Sequence, residues 1–150
     1  MVLLPLLVTT GWAEPAFGTW QMNAARSTLA ADNRPQSLTV RIEPHAKGQV
    51  FTLDRVEADG RAISFSSILY FDGEPRPFQD FGCSGIQSSR RVDSRTVEIL
   101  RMCASGAWVR LIRRLAPQAK ELVLEITEQS PDGRRVERRL ILEKRKEEKQ

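Results

Sequence analysis

One histidine, one tyrosine and two cysteines are spread over 150 residues, and each scarcity removes a class of chemistry. His45 sits in the turn Pro44-His45-Ala46-Lys47-Gly48. A nucleophilic dyad or triad needs a histidine beside Ser or Cys and oriented by a third group, and nothing near this turn supplies one. Two thiols without a neighbouring His or Cys fall short of a zinc ligand set. No phosphate loop, G-x-S-x-G elbow or dinucleotide fingerprint is present. Glu98, Glu125 and Glu128 fall on expected strands, where pairing with Arg113 and its neighbours is the ordinary use. Their spacing does not argue for a glycosidase pair. No catalytic residue, metal ligand or cofactor is therefore assigned. The longest apolar run, Val2 to Val8, is too short to span a bilayer as a helix.

What is present is an ordinary globular composition, 41% hydrophobic and 28% charged, with length for one domain and one core. The balance of 23 Lys+Arg against 19 Asp+Glu gives +4, which tolerates anionic partners without demanding them. Nucleic acid is not an expected partner. Arg90, Arg91, Arg95, Arg110, Arg113, Arg114, Arg134, Arg135, Arg138 and Arg139 crowd the second half. Since Glu98, Glu121, Glu125, Glu128 and Glu137 share those strands, the expectation is an interleaved outer face. Peripheral contact with an anionic lipid surface is the second reading.

From residue 18 the pattern has period two, punctuated by turn residues. Ser37 to Glu43 alternates Leu38, Val40 and Ile42 against polar residues. Further strands are expected over Gln49 to Glu57, Arg61 to Phe71, Arg76 to Gly82, Ile86 to Val92, Thr96 to Cys103, Trp108 to Leu115, Glu121 to Glu128 and Arg135 to Leu142. Asp59-Gly60, Asp72-Gly73 and Asp132-Gly133 mark turns that need positive φ. Pro77 confines its strand to an edge or a bulge. The Ala-rich stretch Asn23 to Asp32, closed by Pro35, has room for a helical turn or two. With Gly18 to Asn23 as the first strand, an all-β antiparallel up-and-down meander results. Closing it into a barrel of 8–10 strands removes its exposed edges. A two-sheet sandwich would need more long crossovers than the sequence offers.

Residues 1–13 read as an export signal, with small residues Gly11 and Ala13 at a cleavage site, although no positive residue precedes the apolar run. That leaves 14–144 as one barrel domain and 145–150 as a charged, frayed tail. A periplasmic or secreted location follows, and with it an oxidising compartment. There Cys83 and Cys103, on either side of the Asp93-Ser94-Arg95 turn, are expected to form a disulfide. In a reducing compartment they stand as separate thiols.

The opening Gly18-Thr19-Trp20-Gln21-Met22 resembles the first strand of the lipocalin and fatty-acid-binding protein superfamily, in which a G-x-W strand begins a calycin-type barrel. The resemblance implies that Trp20 packs at the closed end under a basic residue of the last strand, with Arg138 and Arg139 as the matching positions. The chain is also similar to secreted bacterial proteins of unknown function that begin G-T-W and repeat Asp-Gly turns. Two departures stand. The stretch Ala24 to Gln36 is too short for the helical pair of fatty-acid-binding proteins, and Leu140 replaces the Tyr of their last-strand R-x-Y. Fatty-acid binding is therefore not carried over.

Parity then names an interior. Trp20, Met22, Phe51, Phe65, Leu69, Ile99, Trp108 and Leu124 are its expected walls, with Arg101 and Arg138 as inward cations. Arg101 either holds an anionic ligand group or satisfies core carbonyls. The functional expectation is a non-catalytic barrel binding a small apolar or amphipathic ligand. The alternative is an envelope interaction domain whose interior is filled by the same side chains and whose basic outer face meets a partner.

Overall fold

Strands joined by tight turns pair with their sequence neighbours, and the chain forms one ten-stranded antiparallel sheet. The structure is a computed structural model that describes residues 14–29, 34–80 and 82–146. The strands are β1 (Gly18–Met22), β2 (Ser37–His45), β3 (Gly48–Val56), β4 (Ala62–Leu69), β5 (Arg76–Gln79), β6 (Ser84–Arg91), β7 (Thr96–Cys103), β8 (Trp108–Leu115), β9 (Glu121–Gln129) and β10 (Arg135–Lys144). Their order across the sheet is β4-β3-β2-β1-β10-β9-β8-β7-β6-β5. The expected meander is present, and β1 closes it by pairing with both β2 and β10. The expected helical stretch is a single 3-10 turn at Ala24–Arg26, begun by the Asn23 side chain accepting from Arg26 N. The expected export signal at 1–13 lies outside the described residues, as does 147–150 of the tail. Arg145 continues the sheet, its N–H donating to Thr19 O at 2.8 Å.

Closure is nearly complete. Among the described residues no ladder joins β4 to β5. Across this seam Phe71 N donates to Ser89 Oγ at 3.1 Å and Gly73 N to Ser89 O at 2.9 Å. β5, which carries Pro77, stands at an edge of the sheet order as expected, and at four residues it is the shortest of the ten strands. The Cys83–Cys103 disulfide is present, with Cα atoms 5.0 Å apart. It ties the β5–β6 connection to the end of β7.

The topology gives the barrel two unlike ends. One end carries the β2–β3, β4–β5, β6–β7 and β8–β9 turns, the start of β1 and the finish of β10. Here the interior is solid: Trp20, Val40, Ile42, Leu69, Ile99, Leu122, Leu124 and Leu142 are all fully buried. Trp20 Nε1 donates to Ala16 O at 2.9 Å, which satisfies the indole where water cannot reach it. The basic residue beside Trp20 is Lys144, whose Nζ lies 5.5 Å from the ring centre, and not Arg138 or Arg139. The register is the reason: Trp20 pairs with Lys144, while Arg138 pairs with Ile126 and Arg139 with Glu125. The inward parity of Arg138 with Leu140 and Leu142 is as expected, but its place along the strand is six residues away.

Candidate functional site

Toward the other end, where β1 leaves for β2 and the β3–β4, β5–β6, β7–β8 and β9–β10 turns gather, the barrel is hollow. A cavity of about 760 Å³ opens there, within the range of small-ligand sites. Its walls follow from strand parity. Phe51, Leu53 and Arg55 alternate inward on β3, Ile63 and Phe65 on β4, Leu111 on β8, Ile126 and Glu128 on β9, and Arg138 and Leu140 on β10. β7 contributes Arg101 and Cys103, so the disulfide itself forms part of the wall. A second, lateral cavity of about 440 Å³ lies at the β4–β5 seam, lined by Ser66, Tyr70, Arg76, Phe78 and Gln87 among others.

The ten expected interior residues divide between the two halves. Phe51, Phe65, Arg101, Trp108 and Arg138 reach the cavity. Trp20, Met22, Leu69, Ile99 and Leu124 do not line it, and sit in the packed part of the core. Period two tells which face a residue takes, but depth along the strand decides whether it meets a void or a neighbour. Trp108 belongs only to the rim. It shares the outward parity of Arg110, Ile112 and Arg114 on β8, and Arg135 lies over its ring at 5.5 Å. Leu38, Leu53, Ile63, Val109, Leu111 and Ile126 were not among the expected walls, although the same alternation points them inward.

Arg101 is the most constrained polar group of the site. Only 6% exposed, it donates from Nε to Gln87 Oε1 at 2.9 Å and from Nη1 to Asp80 Oδ2 at 3.5 Å. The Phe78 ring stacks 4.3 Å from its guanidinium carbon and the Phe65 ring lies at 5.9 Å. Among the described residues its Nη2 is buried without a partner. Burial pushes its pKa down to about 10, against the pull of Asp80, so it stays charged at neutral pH.

The other charged residues lining the cavity are paired. Arg55 meets Glu57 at 2.6 Å, Arg61 meets Asp59 at 2.8 Å, Arg134 meets Asp132 at 3.0 Å and Arg138 meets Glu128 at 3.0 Å. With Arg101–Asp80, each of the five arginines lining the cavity has a carboxylate against it.

Arg113 departs from expectation. It is not an outer-face partner for the strand carboxylates but is 2% exposed and inward on β8, at the solid end. Its Nη2 donates to Gln49 Oε1 at 2.9 Å, Gln49 Nε2 donates to the Glu14 carboxylate, and Glu14 is held by both Nη atoms of Arg91 at 2.8 and 2.7 Å. Burial pushes Arg113 down to about 10 as well. The run Trp108 to Leu115 mixes five apolar and three basic residues without clean alternation, so parity was not readable there.

On the outer face Glu98 accepts from Arg90 at 2.8 Å and from Arg110 at 2.9 and 2.7 Å. These hydrogen bonds hold its carboxyl below the usual range. Arg114 pairs with Glu125. The interleaved face is thus observed for these residues, whereas Glu128, expected there, points inward with Leu124 and Ile126 and meets Arg138 at the cavity. His45 is a turn residue whose Nδ1 accepts from Lys47 N at 3.0 Å.

No protein-family model matches the sequence, and no curated protein matches it. Solved structures do match in fold. A fatty acid binding protein of Schistosoma mansoni, in complex with arachidonic acid, superposes with a TM-score of 0.57 at 10% identity, over 91% of this chain and 100% of that one. A secretory abundant heat soluble protein from Ramazzottius varieornatus superposes with a TM-score of 0.63 at 10% identity, over 89% of this chain and 98% of that one. The chain thus shares a barrel fold with these two proteins. At such low identity the likeness concerns the fold alone.

Proposed function

We propose that the protein is an exported, non-catalytic carrier that holds one small apolar or amphipathic molecule in the hollow half of its barrel. The observation that carries this reading is the 760 Å³ cavity with aromatic and aliphatic walls and a buried arginine with a free donor. A barrel meant only as a scaffold gains stability from filling such a space, since voids forfeit packing contacts. The fold is shared with a protein bound to arachidonic acid, which supports a ligand inside without naming it. The disulfide suits an oxidising, periplasmic or extracellular setting. The alternative of a filled barrel acting through its basic outer face has less support, because half the interior is open and the outer arginines are largely paired.

Native mass spectrometry of the protein purified from the compartment to which it is exported tests the reading. A co-purifying small molecule is expected, lost on Ile126→Trp, which places an indole in the void while the fold persists by circular dichroism. A protein that emerges empty, and takes up no amphiphile offered to it, refutes the carrier function.

A further inference from the structure

Resting on that carrier reading, we infer that the cavity selects a neutral long-chain amphiphile, whose hydroxyl or amide head sits between Arg101 and Asp80, over the corresponding free acid.

The donor and the acceptor come from one buried ion pair. Arg101 Nη2 has two hydrogens to give and no partner among the described residues. Asp80, whose side chain is only 12% exposed, receives Gly82 N on Oδ1 at 2.8 Å and the long 3.5 Å contact from Arg101 Nη1 on Oδ2. Oδ2 therefore keeps acceptor capacity, as a carboxylate oxygen has two lone pairs. Both residues line the cavity. A hydroxyl or primary amide accepts from Nη2 and donates to Oδ2 at once, with no change in net charge.

A carboxylate head meets a different balance. It can accept from Nη2, but it has nothing to give Oδ2 and adds a second negative charge beside a single guanidinium. Phe78 and Phe65 pack against that guanidinium, so the excess charge is poorly solvated, and a buried unpaired charge is costly. Two escapes are closed. Asp80 cannot swing aside freely, because its Oδ1 accepts from Gly82 N at 2.8 Å, its own N–H donates to Cys83 O at 3.0 Å, and Cys83 is bonded to Cys103, two residues from Arg101 on the same face of β7. No other cavity arginine is free to serve the acid, since Arg55, Arg61, Arg134 and Arg138 have carboxylates of their own.

The test compares dodecanamide with dodecanoate by isothermal titration calorimetry at pH 8, on delipidated protein with its disulfide intact. The amide is expected to bind at least about tenfold more tightly, as for one unfavourable charge contact in a partly screened site. Asp80→Asn removes the competing carboxylate and is expected to strengthen dodecanoate binding by roughly tenfold, with the amide changing much less. Equal or tighter binding of dodecanoate by the unmodified protein overturns the selectivity and leaves the carrier function standing. Binding of neither ligand overturns both. The comparison on the unmodified protein decides the matter even if Asp80→Asn does not fold.

Discussion

Individual side chains in this barrel act through the partner that the register hands them. Trp20 is the clearest case. The resemblance pairs it with a basic residue of the last strand; that residue is Lys144 because β1 meets β10 near its end, at Trp20↔Lys144. Asp72 shows the same dependence in a turn. Both Arg76 Nη atoms donate to it, at 2.9 and 2.6 Å, and so does Glu74 N. These bonds hold its carboxyl pKa at about 2 against 3.8 unperturbed. The sign follows: the unfolded chain takes up the proton first as pH falls, so the contribution is complete above 3.8 and is lost on descending toward 2. Thermal unfolding followed across that interval is expected to show a steeper acid limb for the native sequence than for Asp72→Asn. The difference should shrink in high salt, because the group is exposed.

Strands and turns carry the next level of constraint, and two glycines mark where backbones crowd. A Cβ built on Gly85 of β6 would lie 1.9 Å from Met102 O on β7, and one on Gly48 of β3 would lie 1.9 Å from Leu69 O on β4. Neither glycine is in a turn that needs positive φ; each permits close approach to a neighbouring strand. Gly85→Ala is expected to cost at least about 2 kcal/mol, measured by urea unfolding, because the ladder beside the disulfide must part. Gly60→Ala, with open space around the added carbon, meets only the strain of its positive φ. The turns themselves were legible: Asp-Gly at 59–60, 72–73 and 132–133 has each glycine at positive φ. The close-approach glycines were not, since their reason lies on another strand.

At the scale of the whole molecule, the barrel joins a solid half to a hollow half and leaves a seam. β1 joins β2 to β10, whereas among the described residues no ladder joins β4 to β5. The disulfide reinforces that weak side, closing a loop with a sequence separation of 20. Replacing both cysteines by alanine is expected to lower stability by about 3 kcal/mol. Hydrogen exchange should quicken first in β5 and β6, while the β9–β10 ladder, paired over nine residues, stays protected. Uniform acceleration across all strands would show that the seam is not a separate weak unit.

A meander of eight to ten strands, its strand order and most of its inward faces, β8 excepted, were determined by the sequence alone, because alternation of period two and glycine-bearing turns are local properties, and short links force neighbours to pair. The same alternation placed Arg101 and Arg138 inward. Only the tertiary structure decided which inward residues fill the core and which line a cavity, because filling depends on facing strands distant in the chain. It also decided that Arg113 is buried, that Lys144 meets Trp20, and that Asp80 neutralises Arg101. Register between strands sets these meetings, and register is a property of the pair, carried by neither segment by itself.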